Sequence, residues 1–227
     1  MSVPKNILIA GSSGMVGNEL LKICLESKEI NKIYLLSRNP STHKNPKVQE
    51  IIINDFLNYN SISSISDQID VVFFCIGVYT GAVDKNLFKQ ITVDYPTALG
   101  KKIIAHWPLS KFILLSGAGA DRTEKSRVLF AKYKGIAENQ LYQLFKNNFY
   151  SARPGYIYPV IKRKEPNFMY RLFRIVYPII KCLGKKISIT SVQLAKAMFV
   201  MGVREQHQTA FENDEMIKLA SGFENAK

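Results

Sequence analysis

Gly11-Ser12-Ser13-Gly14-Met15-Val16-Gly17 is the stretch whose reading decides the fold. Before it, residues 6–10 form a short apolar run that stops at Gly11, the pattern of a parallel strand buried on both faces. After it, Val16, Leu20, Leu21, Ile23 and Cys24 recur at helical spacing, with Glu19, Lys22 and Glu26 on the other side. Between a strand and a helix, glycines serve a tight turn, close backbone approach to a pyrophosphate, and close packing of helix on strand. The free N–H groups and positive dipole end of the helix then favour phosphate. Gly11, Ser12, Ser13, Gly14, Met15, Val16 and Gly17 are therefore the candidate contacts of a dinucleotide.

Outward from this turn the alternation continues. Apolar runs at residues 33–36, 48–53, 71–76 and 112–115 predict four more strands, separated by a short helix near 61–65 and a helix between 84 and 105. A longer helix is expected over 127–146, a sixth strand over 149–152, a helix opened by Ser191 and running to about 203, and a last strand over 209–212 before a helix capped by Asn213. Strands alternating with helices predict an α/β fold with a doubly wound parallel sheet, the Rossmann arrangement. The 227 residues, 47% of them hydrophobic, are read as one nucleotide-binding domain, with 156–190 as a variable lid or substrate segment.

The second strand's end bears on the choice of cofactor. An acid there binds a ribose 2′-hydroxyl, whereas arginine accepts a 2′-phosphate. The chain reads Ser37-Arg38-Asn39 and has no acid between Ile30 and Gln49, so NADP is expected over NAD. Asp55-Phe56 after the third strand and Cys75-Ile76-Gly77 at the end of the fourth fall where such sheets line their ligand crevice. Asp55 can accept from an adenine amine, or simply start a turn; Gly77 can admit the cofactor, or simply end a strand.

Three cysteines, Cys24, Cys75 and Cys182, and three histidines, His43, His106 and His207, are scattered without ligand spacing, so no disulfide framework or metal site is expected. Residues 7–10 are too short a run for a signal peptide, and the expectation is a cytoplasmic location.

Together with Val93-Asp94-Tyr95, Leu115-Ser116-Gly117-Ala118-Gly119-Ala120-Asp121, Lys134-Gly135 with Glu138, and Arg153-Pro154-Gly155, these motifs resemble the atypical short-chain dehydrogenase/reductases. Within them the chain looks like the branch of the Tat-interacting-protein oxidoreductases and, more distantly, the NmrA-like proteins, over about residues 5 to 203. The resemblance implies an oxidoreductase acting on a small carbonyl or alcohol. It gives Lys134 the task of holding the nicotinamide ribose, Ser116 that of positioning the substrate oxygen, and Pro154, Gly155 and Tyr156 a place beside the nicotinamide.

Two positions depart from the pattern. The superfamily's tyrosine stands four residues before its lysine, and here that residue is Phe130, which has no proton to give. The second position of the usual Ser-Ser pair is Gly117. The binding half of the pattern is present and the proton-transfer half is not, so the alternative is a catalytically impaired NADP(H)-binding redox sensor or interaction module.

The formal charge of +13 is concentrated. Residues 162–186 carry eight cations against Glu165, or +7. No nucleic-acid motif accompanies them. The segment is expected to be a lid, a peripheral contact with an anionic membrane, or a protein interface; oligomerisation is left open.

Overall fold

The computed structural model describes residues 3–40, 45–160 and 187–224. The basic segment 162–186 lies outside them, as do His43 and Cys182.

Seven strands form one sheet in the order β3-β2-β1-β4-β5-β6-β9, and every neighbouring pair is parallel. They are β1 (Lys5–Ala10), β2 (Ile30–Ser37), β3 (Val48–Ile52), β4 (Val71–Phe74), β5 (Lys111–Leu115), β6 (Phe149–Arg153) and β9 (Ala210–Glu212). The chain winds outward from β1 to β3 and returns to place β4 on the other side of β1. That reversal opens a crevice at the strands' carboxyl ends, where ligands bind in such sheets. The Rossmann-like α/β expectation is met.

Strand periodicity explains the two layers of the core. In β1, Ile7 and Ile9 face the layer of α1 (Met15–Glu26) and α5 (Ser191–Val203), joining Val16, Leu20, Leu21, Leu194 and Met198. Leu8 and Ala10 face α3 (Tyr95–His106) and α4 (Leu129–Phe145), joining Leu99, Ile103, Ala137 and Leu141. A helix on each face leaves no polar side to the strand, and this is why the run at 6–10 is almost unbroken in its apolarity.

Several elements differ from expectation. The single helix between 84 and 105 is three segments: α2 (Lys85–Lys89), capped by the Asp84 carboxylate, a π turn over Gln90–Asp94, and α3 with Pro96 in its first turn. The short helix near 61–65 is a 3-10 turn over Asn60–Ser64. Thr190, not Ser191, caps α5, in a capping box with Gln193; the Ser191 hydroxyl accepts instead from the Val160 N–H. A separate two-stranded parallel ladder joins β7 (Tyr156–Tyr158) to β8 (Ser188–Thr190). The last helix, α6 (Asn213–Glu224), follows β9 directly. No helix among the described residues is long and apolar enough to cross a membrane.

Candidate functional site

The glycine turn sits at the crevice. Gly11, just past β1, has φ +89°, a conformation that side-chain-bearing residues rarely adopt. A Cβ there would lie 2.9 Å from the Cys75 carbonyl carbon and the Ile76 nitrogen, so the end of β4 passes directly over it. A Cβ on Gly17 would lie 2.1 Å from the Gly11 carbonyl oxygen, so α1 can start this close to β1 only with glycine. Gly14 stands at the N-cap position of α1 and offers no side chain to its first-turn amides. The first turn of α1 is thus left without a side-chain cap, the local feature an anion needs.

The neighbouring strand ends complete this half of the crevice. Ser37 ends β2, and its buried hydroxyl makes no hydrogen bond among the described residues. Arg38 beside it is exposed, and no ion pair holds it there among the described residues. Asp55 is exposed, and its carboxylate accepts from the Leu57 N–H at 2.9 Å, so the turn-starting role is the one the structure displays. Phe56 is buried, 5.6 Å from the Tyr95 ring between centroids, and serves the core. Cys75 is buried, its N–H on the Ala10 carbonyl, with burial pushing its thiol up to about 12. Gly77 is exposed, with open space where its Cβ would stand.

At the other end of the crevice, Lys134 and Ser116 come together without forming a Ser-Tyr-Lys arrangement. Lys134 Nζ donates to the Leu115 carbonyl at 3.0 Å. Burial lowers the lysine to about 8, against the opposing pull of Glu138. Ser116 is buried and donates its hydroxyl proton to Glu138 Oε1 at 2.7 Å. The serine expected to position a substrate oxygen thus directs its hydroxyl proton to Glu138 in this structure.

The Phe130 ring fills the gap left by Gly117. A Cβ on Gly117 would lie 2.3 Å from Phe130 Cζ, so the two departures from the superfamily pattern form one packed contact. Tyr133, the neighbouring hydroxyl on α4, is buried beside Phe88 and Val93, away from Lys134's face.

The Arg-Pro-Gly turn is bound into the protein on several sides. The Pro154 carbonyl accepts from the Ala118 N–H at 2.8 Å, and the Gly155 N–H donates to Asn213 Oδ1 at 2.9 Å. A Cβ on Gly155 would lie 2.3 Å from the Ile187 carbonyl oxygen, and the Tyr156 N–H donates to that same oxygen. Gly155 is thus needed for close packing on the chain itself.

Sequence reasoning did not anticipate the importance of Glu138. It is fully buried on α4 and accepts from Ser116, from the Ser151 hydroxyl at 2.7 Å, and from Arg153 Nε at 3.0 Å. Arg153 also pairs with Glu138 Oε2 and, through its other nitrogen, with Glu212 at 3.1 Å, while Arg122 Nε lies 3.5 Å from Oε2. Burial pushes the carboxyl up, but the hydrogen bonds from Arg153, Ser151 and Ser116 outweigh it and hold Glu138 below the usual carboxylate range. The sequence signal was its place one helical turn after Lys134. Among the described residues, no group of three or more histidine, cysteine or acidic side chains could hold a metal ion.

Comparison with known proteins agrees with this geometry. A family model described as the NAD binding domain of semialdehyde dehydrogenase matches residues 6–93. Among curated relatives, "Protein FMP52, mitochondrial" from Debaryomyces hansenii is 30% identical over 153 residues, 65% of this chain and 64% of that protein. "Protein fmp52-2, mitochondrial" from Aspergillus terreus is 26% identical over 70% of each chain. The chain thus spans less than two thirds of the first of these relatives.

Among solved structures, the Bordetella bronchiseptica enzyme WbmF in complex with NAD+ superposes with a TM-score of 0.68 at 14% identity, over 98% of this chain and 78% of that one. A short chain dehydrogenase family protein from Francisella tularensis gives a TM-score of 0.62 at 11% identity, over 88% and 91%. These likenesses are of fold: a nucleotide-binding Rossmann domain of the kind found in short-chain dehydrogenases and epimerases. The expected cytoplasmic location is overturned, since the curated relatives are named mitochondrial proteins and point to that compartment instead.

Proposed function

We propose that the chain is a mitochondrial NADP(H)-binding oxidoreductase of the short-chain dehydrogenase/reductase kind, nearest in its motifs to the Tat-interacting-protein branch, acting on a small carbonyl or alcohol. The observation that carries the reading is the glycine turn: Gly11 in a left-handed conformation under β4, Gly17 against Gly11, and the uncapped start of α1 together form a cradle for a pyrophosphate. The preference for NADP(H) rests on the acid-free end of β2, where exposed Arg38 and the Ser37 hydroxyl, without a hydrogen bond among the described residues, stand where a 2′-phosphate would be read.

The residues fit such a cofactor from one end of the crevice to the other. First-turn amides of α1 bind the phosphates. Arg38 pairs with the 2′-phosphate. Lys134 holds a ribose hydroxyl through Nζ, already oriented by the Leu115 carbonyl. When bound, the nicotinamide supplies or accepts a hydride. The accompanying proton has no source in Ser116, whose hydroxyl serves Glu138, or in Phe130.

That last point favours a second reading, in which the chain binds NADP(H) and reports it without turnover. The packing of Phe130 on Gly117 is the observation behind it. Titration of wild type and Arg38→Ala with NADPH and NADH tests the cofactor assignment. Loss of the arginine should weaken NADPH by about tenfold, the scale of one charge-assisted contact, and leave NADH unchanged. Unchanged affinity for both cofactors overturns the NADP assignment. Hydride transfer across a panel of small carbonyls then supports the oxidoreductase, whereas tight NADPH binding with no turnover supports the sensor.

A further inference from the structure

Glu138 sits behind the nicotinamide end of the crevice and touches neither solvent nor open cleft. Its partners come from three separate parts of the chain that meet at the carboxyl edge of the sheet: Ser116 after β5, Ser151 and Arg153 on β6, and Arg122 in the loop leading to α4. Arg153 extends the group to Glu212 at the end of β9. Lys134 lies one turn earlier on the same helix and grips Leu115, the residue before Ser116. Two side chains of α4, four residues apart, therefore hold two consecutive residues at the exit of β5.

We infer that Glu138 is a positioning residue for Lys134: by clamping Ser116, Ser151 and Arg153 it fixes α4 against the ends of β5 and β6, and so seats the lysine amino group where the nicotinamide ribose binds. The inference rests on the nucleotide-binding reading above and adds to it the residue that sets the geometry of one end of the site. It also gives Ser116 a task. The serine that the superfamily turns toward substrate is here a strut between β5 and the helix that carries the lysine. A charged acceptor suits that role, because its two oxygens receive several donors at once and the bidentate contact with Arg153 fixes direction as well as distance.

Two probes separate positioning from general support of the fold. NADPH spans the crevice, whereas adenosine 2′,5′-bisphosphate carries the adenine end and the 2′-phosphate but no nicotinamide ribose. Glu138→Gln should weaken NADPH by about tenfold and leave the bisphosphate within about twofold, and Lys134→Met should do the same. The double variant should lose no more than Lys134→Met alone, because the glutamate acts through the lysine. Equal weakening of both probes, or of neither, overturns the inference, as does full additivity in the double variant. Should Glu138→Gln fail to fold, Arg153→Lys keeps the charge and removes the bidentate geometry, and the same selective loss for NADPH is expected from it. Wild type that binds neither probe is a different outcome, which overturns the nucleotide reading itself and this inference with it.

Discussion

Burial of Lys134 on α4 carries a cost that depends on pH. Burial lowers it to about 8 from an ordinary value near 10.5, and Glu138 opposes that shift. Below pH 8 the lysine is charged in both the folded and the unfolded chain, so the full penalty of burying the ammonium is present. As pH rises through 8 the folded protein releases the proton, while the unfolded chain keeps it until about 10.5. The unfolded state then binds more protons, and this residue's contribution to stability rises across that window. Buried Cys24 and Cys75 act in the opposite sense above pH 9, since burial keeps their thiols protonated in the folded state. The expected result is therefore a difference: urea unfolding at pH 7 and pH 9.5 should show Lys134→Met losing its stability advantage over wild type as pH rises. A constant gap between the two would refute the assignment. At Gly117 the argument is steric. An added methyl meets the Phe130 ring, so Gly117→Ala should cost about 1–3 kcal/mol, the usual scale of overpacking. Phe130→Ala opens that space, and the double variant should be less destabilised than the sum of the singles; denaturant curves showing strict additivity would mean that the two positions do not touch.

Elements were legible where periodicity persisted. The parallel strands read clearly because helices cover both faces of the sheet, which makes β1, β2, β4 and β5 nearly continuous apolar runs. The order of turns then indicated which strand ends line the crevice, and Gly11, Ser37, Cys75, Ser116 and Pro154 do gather at one edge of the sheet. What stayed hidden depends on contacts distant in sequence. β7 and β8 are three residues each and meet across about thirty residues of chain, too short a repeat to leave a period. The π turn at Gln90–Asp94 is a change of hydrogen bonding inside an unbroken helical pattern, invisible to spacing. Glu138 was visible only as an acid following Lys134. Its partners Ser116, Ser151 and Arg153 lie 13 to 22 residues away in sequence, and only the pairing of β5 with β6 brings them to it. The same pairing continues just past β5, where the Ser116 N–H donates to the Ala152 carbonyl while its hydroxyl donates to Glu138.

At the scale of the whole molecule, the crevice is the seam between the two halves of the winding, and a dinucleotide across it would touch residues on both sides. The adenine end would lie over β1, β2 and α1, and the nicotinamide end over β5, β6 and α4. A ligand that bridges the halves and binds only the folded chain stabilises it by mass action, about 2.7 kcal/mol when present at a hundred times its dissociation constant. For a chain of this size each kcal/mol raises the melting temperature by roughly 2–4 °C, so saturating NADPH should raise it by about 5–10 °C. NADH at the same concentration should do less, for want of a 2′-phosphate for Arg38. Gly17→Val supplies the control, because its side chain would collide with the Gly11 carbonyl, 2.1 Å from where a Cβ must stand. If that variant folds, α1 has moved off the turn and its amides no longer converge on the pyrophosphate. Its melting temperature should then be lower than that of wild type and indifferent to NADPH. A variant that still melts several degrees higher with NADPH would show that the phosphates are held somewhere other than the start of α1.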